Sequence, residues 1–192
     1  TPAAVPALVS RGEFLTSYTP YQPEVSQGTL QATYEFQTLT CQLLGMEVAN
    51  AGMYDIATSL AEAALMACRV TKRYKVAIVD TVNPNYAAVV RTYAGPQEIN
   101  VYSLSSDAKE LHPDTACLLI QSPNFYGYIE EIEHFAALAH SSGALLCVGS
   151  DPIALAMFKS PGSLGADIAA AEGQALGVPP SFGGPYIGMF AC

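Results

Sequence analysis

Short apolar segments alternate with capped helical segments along most of this 192-residue chain. The apolar segments are predicted to be strands and lie at residues 76–79, 99–104, 116–121, 144–148, 166–171 and 186–192. Helix signals stand between them, such as Asn83-Pro84 before a helix that ends at Gly95. Buried strands that alternate with helices favour a mainly parallel sheet covered on both faces. The predicted fold is therefore α/β, with three layers in the order helix, sheet, helix.

Further helices are predicted from caps and apolar periodicity. They lie at residues 27–44 after Ser26, 57–70 after Asp55, 129–140 before Gly143, and in a short segment that starts at Asp151-Pro152. Gly45 is the predicted stop of the first of these helices.

Composition limits the classes of function. Hydrophobic residues make up 51% and charged residues 13%, a balance that suggests surfaces covered by other subunits. The net charge is -9, and Lys and Arg nowhere cluster with aromatic residues, so nucleic acid is not an expected partner. The apolar stretches are far shorter than the roughly 20 residues that span a bilayer, so we expect no membrane partner.

The five cysteines are scattered, without the spacing of a zinc site or a disulfide framework. They are predicted to be small buried thiols in a reducing compartment. We therefore expect a cytoplasmic protein in a bacterium or archaeon, or a mitochondrial one in a eukaryote. No metal site is predicted.

The segment at residues 18–28 joins two tyrosines, two prolines and a glutamine directly before a predicted helix. Each proline fixes its own φ and restricts the residue before it, so the loop should be stiff. Such a loop can form the wall of a binding cleft. In the alternative interpretation, Tyr18 and Tyr21 pack on the core of the chain.

This segment is similar to a signature of the glycine decarboxylase of the glycine cleavage system, the P-protein. Further matching blocks follow in order at residues 49–55, 58–64, 123–127, 173–177 and 181–186. Together they resemble the alpha subunit of the two-subunit form. The resemblance implies the large domain of the pyridoxal-phosphate (PLP) transferase fold type I, as in aspartate aminotransferase. We expect an N-terminal segment with the aromatic loop at residues 1–28 and the large domain, truncated at both ends, at residues 29–192.

The resemblance also implies a reaction. The family's complex decarboxylates glycine with PLP and passes the aminomethyl group to the lipoylated carrier H-protein. Counting back from the turn Gly183-Gly184-Pro185, the position of the family's cofactor-binding lysine falls on Gln174, whose amide cannot bond covalently to the cofactor. The lysines elsewhere are predicted to be solvated, and they are Lys72, Lys75, Lys109 and Lys159.

PLP is therefore expected on a homologous beta subunit, in a heterotetramer, and not bound covalently to this chain. Tyr18, Thr19, Tyr21 and Gln22 are the residues expected to reach the partner's substrate cleft.

A degenerate cofactor pocket is expected from Tyr54, Asp55, Asn124, Asp151 and Gln174. Asp55 is predicted to cap a helix, and at that position its carboxylate would repel a phosphate. Asp151 resembles the acid of the pyridine nitrogen, and Asn124 resembles the residue that contacts the cofactor's 3-hydroxyl group. Both also suit turn chemistry, with Asp151 as a cap and Asn124 in a turn.

Two other functions stay open. The chain could be a purely structural scaffold for the catalytic subunit, or an independent fold type I lyase that acts on another amino acid. Gln174 counts against the lyase.

Overall fold

One sheet of six strands organises the part of the chain that this computed structural model describes, residues 2–15 and 19–192. The strands are β1 (Lys75–Val79), β2 (Asn100–Leu104), β3 (Thr115–Ser122), β4 (Leu145–Ser150), β5 (Ile168–Glu172) and β6 (Gly188–Ala191). Their order in the sheet is β2-β1-β3-β4-β5-β6. All neighbouring pairs are parallel except β5 and β6. Predicted strand ends differ from the observed ones by at most two residues.

The helices lie on both sides of this sheet. They are α1 (Ala4–Val9), α2 (Gly12–Leu15), α3 (Gln27–Leu44), α4 (Ile56–Thr71), α5 (Pro84–Ala94) and α6 (Ile132–Ser141). Helices α4 and α5 cover one face, whereas α6 and the end of α3 cover the other. The prediction of a three-layer α/β/α fold with a mainly parallel sheet is confirmed. Because α3 begins at Gln27, it crosses the expected division at residue 28, which stays a prediction.

The central strands are buried on both faces, which explains their continuous apolar sequence. Successive strand residues point to opposite faces. Leu119 and Cys147 therefore pack under α4, and Ile120 and Val148 pack under α6. This alternation also decides which polar residues at the strand ends face which side of the sheet.

Local capping signals position the helices. Asp55 Oδ1 accepts from the Thr58 backbone N–H (2.7 Å), and Thr58 Oγ1 accepts from the Asp55 N–H (3.2 Å). This capping box confirms the predicted cap of α4. Gly45 ends α3 with a left-handed φ of 70°, also as predicted. Ser26 precedes α3, but its side chain makes no capping hydrogen bond.

Arg73 fastens two elements at the amino edge of the sheet. Its Nη1 donates to the carbonyl oxygens of Thr115 (3.0 Å) and Ser142 (2.8 Å). One guanidinium thus joins the start of β3 to the end of α6.

Two helix predictions need correction. The helix expected at residues 129–140 begins only at Ile132, because the preceding loop is held by the Asn124 side chain, and Ile129 is half exposed. The segment after Asp151 forms only a 3-10 turn at Ala154–Ala156. There, Asp151 Oδ1 accepts from the Ile153 N–H, a local bond that closes a turn instead of capping a regular helix.

The apolar periodicity of residues 27–44 predicts one buried side of α3, but that side is buried only in the second half of the helix. Leu44 is fully buried, whereas Tyr34 is 71% exposed and Leu30 is 39% exposed. The first half of the helix extends beyond β6 and the core that it covers. Among the described residues, no helix is long and apolar enough to cross a membrane.

Candidate functional site

A cleft of about 350 Å³ opens at the carboxyl edge of the sheet, where β3, β4 and β5 end. Polar side chains line it because each of these strands ends in a polar residue or is followed by one. Gln121 lies near the end of β3, Asp151 follows β4, and Glu172 ends β5. The carboxyl ends of parallel strands meet at one edge, which is where open α/β sheets bind ligands.

Glu172 organises the floor of the cleft. Its Oε2 accepts from the N–H of Ile56, the first residue of α4 (3.1 Å). Its Oε1 accepts from the N–H groups of Gln174 (3.0 Å) and Ile187 (3.2 Å). A helix N-terminus with converging backbone N–H groups is a site for an anion. In this chain, the protein's own carboxylate takes that place.

Gln174 lies directly behind this carboxylate and is half-buried. Its side-chain amide donates to the Val178 carbonyl, so it closes a turn of the chain at the cleft wall. Its backbone N–H and its side-chain amide nitrogen thus both donate hydrogen bonds within the protein.

The four lysines lie away from the cleft lining. Lys72, Lys109 and Lys159 are exposed, as predicted. Lys75 is half-buried and contacts the His112 ring at the amino end of β1, so the prediction that it is solvated was wrong. No amino group of residues 2–15 or 19–192 therefore lines this cleft.

Asn124 is buried in the loop that forms one wall of the cleft. Its Oδ1 accepts from the backbone N–H groups of Tyr126 (2.9 Å) and Tyr128 (3.1 Å), and its Nδ2 donates to Glu130 Oε1 (2.6 Å). Thr81 Oγ1 donates to the same carboxylate oxygen (2.7 Å). Both polar atoms of the Asn124 side chain are thus engaged, and the turn interpretation describes its contacts.

The remaining predicted pocket residues divide into two groups. Asp151 is exposed on the cleft rim, where one oxygen accepts from the Ile153 N–H (2.8 Å). Asp55 caps α4 beside the cleft, and Tyr54 is 83% exposed. The structure therefore places Asn124, Asp151 and Gln174 in one cleft and leaves Tyr54 outside its lining.

Tyr86, in the first turn of α5, forms the opposite wall. Burial raises the pKa of its phenol, and the carboxylates of Glu172, Asp55 and Asp151 raise it further. These three carboxylates make the electrostatic potential in the cleft negative. Sequence reasoning missed Tyr86, Gln121 and Glu172, although the positions of Gln121 and Glu172 at ends of buried strands were a usable signal.

The aromatic loop lies on the surface. Thr19, Tyr21 and Gln22 are exposed, and Tyr21 is 82% exposed. The alternative in which Tyr21 packs on the core is therefore wrong. Tyr18 lies outside the described residues.

Comparison with known proteins connects this geometry to a family. The sequence profile described as "Glycine cleavage system P-protein" matches residues 1–192. This chain belongs to the P-protein family. It is 51% identical to "Probable glycine dehydrogenase (decarboxylating) subunit 1" of Desulfitobacterium hafniense, with 100% of the chain and 45% of that protein aligned. The chain thus spans less than half the length of this P-protein relative.

A comparison with solved structures also finds a P-protein. A glycine decarboxylase (P-protein) of the glycine cleavage system, in inhibitor-bound form, superposes with a TM-score of 0.93. Its sequence is 47% identical, and the match covers 99% of this chain and 45% of that one. An O-acetylhomoserine sulfhydrylase of Wolinella succinogenes matches with a TM-score of 0.60 at 13% identity, over 84% of this chain and 46% of its own. The P-protein match and such distant neighbours confirm the expected fold type I architecture.

The cleft of this P-protein chain does not fit PLP. The start of α4 is already occupied by the Glu172 carboxylate, which accepts a hydrogen bond from the Ile56 N–H, and Asp55 lies beside it. A phosphate there would be repelled by both negative charges. In the described part of the chain no lysine lines the cleft, and Gln174 stands at the position expected for one. These contacts disfavour both the phosphate and a covalent bond to the cofactor.

Proposed function

We propose that this chain is part of the alpha subunit of glycine decarboxylase, the subunit that does not hold the cofactor. A homologous beta subunit carries PLP, and the complex decarboxylates glycine and transfers the aminomethyl group to the lipoylated H-protein. The observation that carries the proposal is the Glu172 carboxylate on the N-terminus of α4, with Gln174 beside it. The family match supplies the reaction class.

The role of this chain at the partner's site is to form a wall. The exposed loop with Thr19, Tyr21 and Gln22 points away from the core of its own chain, as a group that contacts another subunit must. Aromatic surface there excludes water from a reactive carbon that protons would quench. Tyr18 is proposed for the same role on sequence grounds. Since the relatives cited by organism are bacterial, we place the complex in the cytoplasm.

The first experiment tests the division of labour. The full-length protein is coexpressed with its PLP-carrying partner, and glycine decarboxylation is measured for each chain alone and for the mixture. We expect activity only in the mixture. Borohydride reduction followed by peptide mapping should place the pyridoxyl group on a partner lysine. A pyridoxyl group on Lys72, Lys75, Lys109 or Lys159 would contradict the proposal and favour an independent lyase.

The second experiment separates a wall from a scaffold. Tyr21→Ala should lower turnover at least tenfold while the complex still assembles and melts at the same temperature. Tyr74→Ala is the matched control, because Tyr74 is 61% exposed and lies at the amino edge of the sheet. Equal turnover in both variants would leave only the scaffold role.

A further inference from the structure

One side of helix α3 lies open to solvent and forms a groove. Two open hollows adjoin along it and meet at Tyr34, which lines both and is 71% exposed. One hollow extends from Pro23 to Tyr34, and the other extends from Tyr34 to Val48. We call this surface the α3 groove. Since α3 has 18 residues that each rise about 1.5 Å, the groove is roughly 27 Å long.

The α3 groove has the composition of an interface rather than of an ordinary surface. Its lining includes the exposed apolar side chains of Leu30, Tyr34 and Val48. The other helix residues that line it are uncharged, and they are Gln27, Gln31, Gln37, Thr38, Cys41 and Gln42. A helix face that stays in water normally carries charged residues. Aromatic residues and a lack of charge are instead typical of the buried centre of an interface.

The charge of the α3 groove has one sign. Among the described residues that line it, the charged ones are Glu24 in the first hollow and Glu47 in the second. The sequence contains no Lys, Arg or His between Arg11 and Arg69, a segment that includes the whole groove. Both ends of the groove are therefore acidic.

Basic residues on neighbouring segments do not line the groove. Arg11, between α1 and α2, forms an ion pair with Glu13. Lys159 precedes Ser160, which lies close to Gly45 at the end of α3, but the Lys159 side chain lines a separate cavity beside the loop at residues 123–130. A partner with basic residues opposite both ends would therefore complement the charge of the groove.

The α3 groove also continues the surface that is proposed to contact the partner subunit. The loop with Tyr21 and Gln22 leads directly into Pro23, where the groove begins. A subunit whose cleft receives Tyr21 thus has the groove next to that contact.

We propose that the α3 groove binds the homologous PLP-carrying subunit, through an apolar segment that has a basic residue towards each end. The apolar part covers Leu30, Tyr34 and Val48, and the basic residues pair with Glu24 and Glu47. Tyr34, at the centre, is the anchor of the contact. This inference rests on the proposed function and adds to it the surface that holds the two subunits together.

Hydroxyl-radical footprinting of the full-length protein tests where the partner lies. Tyr34 should be oxidised readily in the free subunit and about tenfold more slowly in the complex, because the centre of an interface excludes water. Tyr74, 61% exposed at the amino edge of the sheet, is the control and should react equally in both. Equal oxidation of Tyr34 in the two states would overturn the proposal. So would protection of Tyr34 in the free subunit, which would show that its own chain covers the groove.

Variants test the anchor and the charges through the affinity between the full-length subunits, and melting curves check that each variant is folded. Tyr34→Ala should weaken the affinity about tenfold, whereas Tyr34→Phe and Tyr74→Ala should leave it nearly unchanged. Glu24→Lys combined with Glu47→Lys should weaken it about tenfold at low ionic strength, and less in about 1 M NaCl, because salt screens the repulsion. Glu110→Lys, at an exposed loop position, is the charge control.

Glycine decarboxylation by the mixture separates this inference from the proposed function. If the mixture is active but neither Tyr34→Ala nor the double charge reversal changes the affinity, the docking proposal is overturned and the proposed function stands. An inactive mixture would contradict the proposed function and, with it, the choice of partner.

Discussion

Replacing Glu172 should loosen the start of α4 and the chain on both sides of β5. Glu172→Ala removes the acceptor of three backbone N–H groups, those of Ile56, Gln174 and Ile187, at 3.0–3.2 Å. A hydrogen bond to a charged group contributes about 1.5–3 kcal/mol. Glu172 is only half-buried and water can replace part of each bond, so we take about 1 kcal/mol each. The expected loss of unfolding free energy is therefore about 3 kcal/mol.

Urea unfolding and amide hydrogen exchange of the full-length protein measure this effect. Exchange should accelerate at Ile56, Gln174 and Ile187, whereas amides in β3 should respond only to the global loss of stability. Glu172→Gln keeps one acceptor oxygen and should cost about half as much. Glu110→Ala, at an exposed loop position, is the control and should change stability by less than about 0.5 kcal/mol.

A double variant tests whether the carboxylate occupies an anion site. Glu172→Ala removes the bound carboxylate, and Asp55→Asn keeps a capping oxygen while removing the charge that would repel an anion. Inorganic phosphate should then bind at the start of α4 and raise the stability of this double variant by about 1.4 kcal/mol at a tenfold excess over its Kd. Phosphate should not stabilise the Glu110→Ala control in this way. Equal stability of the two alanine variants, or equal exchange at the three amides, would refute the role given to Glu172.

Three other changes follow from close contacts and burial. Gly162→Ala should lower the free energy of unfolding in urea by about 2–4 kcal/mol, because a Cβ would lie 2.0 Å from the Gly45 carbonyl oxygen. Gly95→Ala is the control, since a Cβ there meets open space and should change stability little. Arg73→Met should cost about 2–3 kcal/mol, since two carbonyl groups lose their charged donor; unchanged stability would show that water replaces it. Burial raises the pKa of Cys68 from 9.0 to about 12. Above pH 9 the Cys68 thiol therefore stays protonated in the folded state after it has ionised in the unfolded state. The free energy of unfolding should fall as the pH rises from about 9 to 12, and it should fall less steeply in Cys68→Ala.

The amino-acid sequence by itself determined the elements whose signals are local. Asp55 and Thr58 lie three residues apart, so one turn of backbone brings their groups together whatever surrounds them. Gly45 ends α3 because a left-handed φ costs glycine little. Apolar runs alternating with such caps were sufficient to predict the parallel sheet and its two helical layers.

Only the tertiary structure decided how distant residues meet. Glu172 and Ile56 are 116 positions apart, and their contact exists because β5 and α4 pack side by side. The burial of only half of α3 has the same origin. Periodicity shows which side of an element is apolar, but the neighbour that covers that side is set by packing between segments far apart in the chain.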